Sequence, residues 1–253
     1  MAKIVLLDQP AQADVTGSDA TAHDKATQWM ARIEELFITE RSKQIQIGIS
    51  EVGMDCRKCV ARKLAKVYRK PDGSWYPFIG TAVHDALERG FEERWPDEYN
   101  LESRLHVHSY KDLELGGSCD MAALIQDGKG VIVNDWKVVG KQGVTDAAKG
   151  KIKEQYRIQA QLYGYGWAQK GYNVTHVALS FLPREDKLQN AVVVLMRYDQ
   201  DVALAALAEV ESMIDAAEIV GWEKVIDKQP KASFCFSCRV YEQTDYMDIE
   251  SMV

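Results

Sequence analysis

The segment VIVNDWK, residues 131–137, constrains the fold more than any other stretch of this chain. It begins with three β-branched residues, which favour an extended strand. Side chains alternate between the two faces of a strand, so Val131, Val133, Asp135 and Lys137 share one face. A carboxylate and an ammonium group therefore follow core valines onto the same face. This arrangement indicates either a structural ion pair at a strand end or a reactive pair.

The size of the chain allows one large α/β domain, alone or with a small appendage. It has 253 residues, of which 46% are hydrophobic and 27% are charged. No apolar run approaches the length that spans a bilayer, and the first residues are too few and too soon acidic for a signal peptide. We therefore expect a cytoplasmic protein with an N-terminal helical appendage at 1–45 and a main domain at 46–253.

Hydrophobic periodicity and turn residues predict the order of the elements. In the appendage, Trp29, Ile33 and Phe37 recur at helical spacing. Thr81 is the predicted cap of a helix that Pro96 ends. The turn DGKG, residues 127–130, is predicted to close a hairpin. The predicted helices of the main domain are 56–68, 82–95, 152–170 and 201–221, and the predicted strands are 103–110, 117–126, 130–139, 175–182 and 191–198. This order predicts an α/β fold with a mixed sheet flanked by helices.

Two aspartates on neighbouring predicted strands are candidate metal ligands. Asp120 and Asp135 would lie side by side if their strands pair antiparallel. Two carboxylates without a cation repel each other, and a divalent ion with a preference for oxygen, such as Mg²⁺ or Mn²⁺, removes this cost. Lys137 would then lie beside the metal, where it could orient water or stabilise charge on a phosphate.

Two predicted helices carry further polar residues at four-residue spacing. His84 and Glu88 share a helix face, and the histidine is either a hydrogen-bonded border residue or a metal ligand. Gln155, Gln159 and Tyr163 form a stripe on the long helix. That stripe is either a solvated face or a row of amides that faces a nucleic-acid strand.

The motifs GTAVHDALE, GSCD, NDWK and QAQLY occur in this order, and together they resemble the PD-(D/E)XK nuclease superfamily, within it the RecB-like exonuclease group. The resemblance covers about residues 49–238 and implies a restriction-endonuclease-like fold and an active enzyme. It also implies roles for eight positions, which are the metal ligands His84, Asp120, Asp135 and the Trp136 carbonyl, and the catalytic residues Asp120, Asp135, Lys137, Glu88, Gln159 and Tyr163.

Four of the five cysteines form two Cys-x-x-Cys pairs, at Cys56, Cys59, Cys235 and Cys238. In a reducing compartment this spacing favours a metal over disulfides, and four thiolates suit either Zn²⁺ or an iron–sulfur cluster. Cys119 has no partner motif and is expected to be a small core residue.

The resemblance adds an expectation for this cysteine site. The chain is similar to CRISPR-associated RecB-like exonucleases and to the AddB nuclease domain, which hold a [4Fe–4S] cluster with one early and three late cysteines. Here the third late position falls near Thr244, and Cys59 would replace it from the N-terminal side. We therefore expect a [4Fe–4S] cluster, with zinc as the alternative, that joins the N- and C-terminal segments of the domain.

The charge distribution leaves room for a nucleic-acid partner. The net charge of −7 argues weakly against one, but Arg57 to Lys70 contains seven basic residues and no acidic one. This stretch is either a solvated helix face or a phosphate-contacting surface. The residues that could line a path for DNA are Lys141, Lys149, Lys151 and Lys153, with Trp75, Tyr76 and Phe78 either stacking on bases or packing in the core.

The expected function is a metal-dependent DNA exonuclease that acts on single strands or duplex ends in recombination, repair or phage DNA metabolism. The alternative is a non-catalytic or redox-regulated DNA-binding or assembly module in recombination or CRISPR adaptation; within enzymes, a restriction endonuclease is a further possibility. The chain has no Walker A motif, so a helicase partner would be a separate protein. A recombination protein and a second copy of the chain are the other expected partners.

Overall fold

The computed structural model describes residues 24–32, 46–67, 75–125 and 130–243. The helices are α1 (24–32), α2 (Ile49–Val52), α3 (Arg57–Leu64), α4 (Tyr76–Arg94), α5 (Lys141–Ala148), α6 (Glu154–Gln169), α7 (Gln200–Val220), α8 (Trp222–Lys228) and α9 (Phe236–Gln243). The strands are β1 (Tyr99–Tyr110), β2 (Leu113–Leu124), β3 (Gly130–Val139), β4 (Asn173–Pro183) and β5 (Val192–Arg197), and a short 3₁₀ helix covers Leu188–Asn190.

The five strands form one mixed sheet in the order β1-β2-β3-β4-β5. β1 to β3 are successive antiparallel neighbours, β3 and β4 are parallel, and β5 returns antiparallel to β4. The parallel pair requires a crossover, which α5 and α6 supply. The predicted α/β class with a helix-flanked mixed sheet is confirmed.

Helix α6 packs on the sheet and also contacts α2 and α7. Gly164 permits this close approach, because a Cβ atom there would lie 2.8 Å from the Tyr198 ring and 3.0 Å from Val177. Leu162 and Val177 are fully buried in the main core. The α6 face that carries Gln159 is thereby held against the sheet.

Helix α7 has clear end signals in the sequence. The side chain of Asp199 accepts a hydrogen bond of 3.0 Å from the Asp201 backbone N–H, which caps the first turn. At the other end Gly221 adopts φ of 83°, which favours glycine. The observed helix matches the predicted one to within a residue at either end.

The local structure differs from the prediction at the start of α4, at the start of β1 and in four short helices, α2, α5, α8 and α9, that were not predicted. The helix predicted to begin after Thr81 begins at Tyr76, because Pro77 fits the first turn, where its missing N–H is not needed. Strand β1 begins at Tyr99, four residues before the prediction. Helix α5 was missed, since Gly143, Val144 and Thr145 have weak helix propensity, and packing against β4 and β5 stabilises it.

The chain divides into two units, Met1–Gln44 with Pro71–Phe78, and Ile45–Lys70 with Ile79–Val253. In the first unit Trp75 and Tyr76 are exposed, and the Trp75 ring stacks on Phe78 with centroids 5.0 Å apart. A separate appendage at 1–45 stays a prediction. The predictions for Ile33, Phe37, Tyr68, the turn residues 127–129 and Thr244 lie outside the described residues. In the described ranges, no helix has the length and apolar character to cross a membrane.

Candidate active site

The Asp-x-Lys segment of β3 lies inside the domain. Asp135 is 2% exposed and Trp136 is 4% exposed, while Lys137 is half-buried. The Lys137 ammonium nitrogen lies 2.5 Å from Oδ2 of Asp135 and donates a 2.8 Å hydrogen bond to Oε1 of Gln159. It also lies 4.9 Å above the Tyr156 ring, a cation–π distance. The two residues therefore face the same side, as strand alternation predicted.

Asp120 lies across from this segment on β2. The pairing of Met121 with Asn134 places Asp120 and Asp135 one residue beyond the last paired positions of the antiparallel strands. Oδ2 of Asp120 accepts a hydrogen bond of 2.6 Å from the backbone N–H of Trp136. The two predicted carboxylates thus lie beside each other, as expected.

His84 on α4 completes this cluster from outside the sheet. Its Nδ1 lies 3.3 Å from Oδ1 of Asp120, and its Nε2 lies 3.1 Å from the Trp136 carbonyl oxygen. Burial alone lowers the pKa of His84, but the hydrogen bond and charge of Asp120, together with the charge of Asp135, raise the pKa above its usual value. Both ring nitrogens face acceptors, an arrangement that favours the doubly protonated ring when no cation is bound.

The acidity of Asp135 reflects its burial. Loss of hydration raises the pKa of its carboxyl group to about 6, with Lys137 opposing the rise and the Asp120 charge adding to it. Ionisation of a buried carboxyl group is costly, but the ionised form becomes favourable when a cation binds beside it. The chemistry of this donor set, with buried carboxylates, a carbonyl oxygen and an imidazole, fits a divalent metal ion.

The polar stripe on α6 faces the protein and not a nucleic-acid strand. Gln159 is 4% exposed and donates from Nε2 to Oδ1 of Asp135 over 3.0 Å. Tyr163 is buried beside Gln159, and burial, followed by the charge of Asp135, raises its pKa. Gln155 donates to the Ser50 carbonyl oxygen over 2.6 Å. Both sequence interpretations of the stripe were therefore wrong, because its members bond to buried or half-buried partners.

Glu102 joins the cluster, and the sequence interpretation missed it. One ligand atom from each of His84, Glu102 and Asp120 lies within 4.8 Å of the others. The flanking pairs, Leu101 with Met121 and Ser103 with Cys119, place Glu102 opposite Asp120. Glu102 has φ of 39°, an uncommon conformation for a non-glycine residue in a strand. The only sequence signal was an acidic residue just before a predicted strand.

Glu88 is not brought into this group. Among the described residues, the convergent ligand atoms at this end of the sheet come from His84, Glu102 and Asp120. Glu88 lies one turn beyond His84 on α4, and modest burial together with Glu92 and Asp85 raises its pKa. Its catalytic role stays a prediction.

The two Cys-x-x-Cys pairs meet at a second site. All four Sγ atoms of Cys56, Cys59, Cys235 and Cys238 lie within 4.8 Å of one another. Arg62 donates from Nη1 to Sγ of Cys238 over 3.6 Å. The four-cysteine group that joins the two ends of the domain is therefore present. Cys119 lies apart in the main core, fully buried, and burial raises its pKa to about 12.

Four basic side chains of α3 make contacts within the protein. Arg57 pairs with Glu209 over 2.7 Å, Lys58 with Asp227 over 3.3 Å and Lys63 with Glu51 over 3.2 Å. Arg62 is buried at the cysteine site. These four side chains contact the neighbours of α3, while Lys66 is exposed. A phosphate-contacting surface on this stretch stays a prediction. Four other lysines are also exposed, as a path for DNA requires, at Lys141, Lys149, Lys151 and Lys153.

No family model matches the sequence, and no curated protein matches it. Solved structures do. LHK-Exo of Laribacter hongkongensis, an alkaline exonuclease solved in complex with dAMP, has a TM-score of 0.50 at 14% identity over 75% of this chain and 97% of its own. A phage-related exonuclease from Haemophilus somnus 129PT has a TM-score of 0.48 at 13% identity over 72% and 94%. A putative exonuclease from Eubacterium rectale has a TM-score of 0.45 at 11% identity over 87% and 97%. The similarity to LHK-Exo shows that this chain has an exonuclease-like α/β fold.

Proposed function

We propose that this chain is a metal-dependent deoxyribonuclease of the RecB-like group, acting as an exonuclease on single-stranded DNA or duplex ends. One observation carries the proposal. Asp135 and Lys137 project from β3 onto one buried face. Between them, the backbone N–H of Trp136 donates to Asp120, and its carbonyl oxygen bonds to His84. A structural ion pair does not need this additional set of metal-binding groups.

The residues that would hold the divalent ion are His84, Asp120, Asp135 and the Trp136 carbonyl, and we add Glu102 to the set predicted from the sequence. When bound, Mg²⁺ or Mn²⁺ supplies Lewis-acid stabilisation of charge on the phosphate and activates water for attack. Burial of Asp135 excludes bulk water from this side of the site and strengthens its interaction with a cation.

Lys137 would act directly on the reacting group. An ammonium group has three N–H donors, and its contacts with Asp135 and Gln159 use two of them. The third would donate to the attacking water or to a phosphate oxygen as negative charge develops. Gln159 positions both members of the pair, since its amide oxygen accepts from Lys137 and its amide nitrogen donates to Asp135.

A path for the DNA strand is supported by charge close to Lys137. Lys153 lies 5.5 Å above the ring of Tyr156, the same ring that Lys137 approaches. The exposed lysines of α5 and the following loop precede this position in the chain. LHK-Exo was solved in complex with dAMP, and this supports a deoxynucleotide as a ligand of the present chain. Recombination, repair or phage DNA metabolism is the setting that we propose.

Digestion of DNA by the purified protein tests the proposal. End-labelled single strands, linear duplexes and closed circles would be incubated with Mg²⁺ or Mn²⁺, beside Asp135→Ala and Lys137→Ala. We expect metal-dependent loss of linear DNA, survival of closed circles, and loss of activity in both variants. Lys224→Ala, an exposed lysine on α8 that belongs to neither the proposed metal site nor the proposed DNA path, is the matched control. Intact substrates with folded wild-type protein and every metal would overturn the proposal in favour of a binding module.

A further inference from the structure

The four cysteines enclose a small space. The Sγ atom of Cys238 lies 3.3 Å from that of Cys59 and 3.5 Å from that of Cys56, and Cys59 lies 3.6 Å from Cys235. All six sulfur–sulfur distances are within 4.8 Å. These distances define the size of any group that the thiolates bind together.

A single tetrahedral ion fits these distances. With a Zn–S bond of about 2.3 Å, the sulfur atoms of a Cys₄ zinc site lie about 3.8 Å apart. In a four-iron cluster each thiolate binds a different iron atom, so the sulfur atoms lie on the order of 6 Å apart. A cage with every distance inside 4.8 Å would have to open along all of its edges to hold that cluster.

We propose that Cys56, Cys59, Cys235 and Cys238 bind one zinc ion in a structural site, in place of the [4Fe–4S] cluster that the sequence resemblance implies. Zinc is favoured over a single iron because Zn²⁺ binds such ligand sets more tightly than Fe²⁺. The site is also closed, as structural zinc sites are, since Cys56, Cys59 and Cys238 are buried.

Arg62 supports thiolate ligands at this site. Four thiolates around Zn²⁺ leave a net charge of about −2, which is costly in a protein interior without a counter-charge. The Arg62 guanidinium is buried, donates to Sγ of Cys238 and lies 4.9 Å above the Tyr241 ring. The basic helix α3 thus contributes a cation to the cysteine site.

The zinc ion would hold the C-terminal helix in place. The cysteine site lies in a small apolar cluster, separate from the main core. Its buried residues are three of the cysteines and Tyr241, with a few partly buried neighbours, while Phe234 and Phe236 are largely exposed. So small an apolar cluster contributes little by burial alone, and metal binding would supply the stability that attaches α9 to α3. The ion would join segments that are about 180 residues apart in the sequence.

Metal analysis of the full-length chain tests this inference without DNA, so its outcome is separate from that of the nuclease assay. Protein would be made in cells supplied with both iron and zinc, purified without oxygen, and analysed for metals and acid-labile sulfide. We expect one zinc per chain, no labile sulfide and no iron–sulfur absorption. Iron with labile sulfide, a single iron in place of zinc, or protein without either metal would overturn the inference.

Two cysteine variants and a chelator extend the test. Cys59→Ser is expected to lose zinc, while Cys119→Ser, the matched control from the main core, keeps it. Removal of zinc by a chelator is expected to make the chain between α8 and α9 susceptible to limited proteolysis, with the sheet remaining folded. Unchanged zinc content in Cys59→Ser, or equal proteolysis with and without zinc, would contradict the proposed site.

Discussion

Gln159 donates a hydrogen bond of 3.0 Å from its side-chain nitrogen to Oδ1 of Asp135, linking the crossover helix α6 to the strand that carries the Asp-x-Lys pair. The same amide accepts from Lys137. Because the amide bonds to both charged groups, it fixes their separation. Gln159 is therefore a positioning residue that acts through two others.

Gln159→Ala is expected to lower kcat for DNA digestion by about 100-fold, since loss of the amide lets Lys137 move away from the reacting phosphate. Mn²⁺ affinity should fall much less, because the proposed metal ligands remain. Gln155→Ala on the same helix is the control, as Gln155 bonds to the Ser50 backbone. Steady-state kinetics and calorimetric Mn²⁺ titration measure the two effects. Equal loss of metal affinity and kcat would contradict the positioning role.

Glu102→Gln is expected to weaken Mn²⁺ binding by about tenfold, equivalent to about 1.4 kcal/mol. The change removes a negative charge from the group that it forms with His84 and Asp120. Glu114→Gln on the paired strand is the control, since Glu114 is exposed and bonds to Ser109. Calorimetric titration without DNA gives the affinities, and identical values for both variants would exclude Glu102 from the metal site.

The pKa of Asp135 predicts how stability changes with pH. A carboxyl pKa that folding raises from its ordinary value to about 6 contributes stability that is present at low pH and is lost as the pH rises through 6. In EDTA, the wild type should therefore lose about 1–3 kcal/mol relative to Asp135→Asn between pH 4 and pH 7. Urea unfolding at several pH values measures this difference. A constant difference would contradict the raised pKa.

Metal binding is expected to release a proton from His84. Its two ring nitrogens face Asp120 and the Trp136 carbonyl, and its raised pKa favours the charged ring before a cation binds. A metal ligand must be unprotonated, so titration near neutral pH should release up to about one proton per Mn²⁺. Calorimetry in buffers of different ionisation enthalpy counts the protons. His84→Asn should bind Mn²⁺ more weakly and release fewer protons. Unchanged proton release in that variant would show that the proton comes from another group.

The sequence alone predicted several of the groups that meet in the candidate site, because their signals are local. Strand alternation placed Asp135 and Lys137 on one face, and the resemblance of the motifs to the PD-(D/E)XK superfamily implied that His84, Asp120 and Gln159 belong to the same site. Two Cys-x-x-Cys pairs predicted a four-ligand site. The fold class followed from the order of the elements, since a parallel pair requires a crossover and a long helix between two strands can supply it.

Residue spacing alone did not predict which partners the side chains of α3 and α6 face. A basic stretch and an amide stripe both allow a surface that binds nucleic acid. Their partners are distant in the sequence, such as Glu209 for Arg57 and Asp135 for Gln159, and no local pattern specifies them.

Tertiary structure also decided the position of Glu102. The hairpin of β1 and β2 pairs Tyr110 with Leu113, and a bulge at Val107 then shifts the register by one residue. Without that bulge Asp120 would lie opposite Ser103, and Glu102 would point to the other face of the sheet. A one-residue shift in register moves every side chain beyond it to the opposite face of the sheet. The distances between the four cysteine sulfur atoms likewise depend on how two distant segments pack. The sequence determined which chemical groups are present, and the packing of the sheet and helices determined which of them meet.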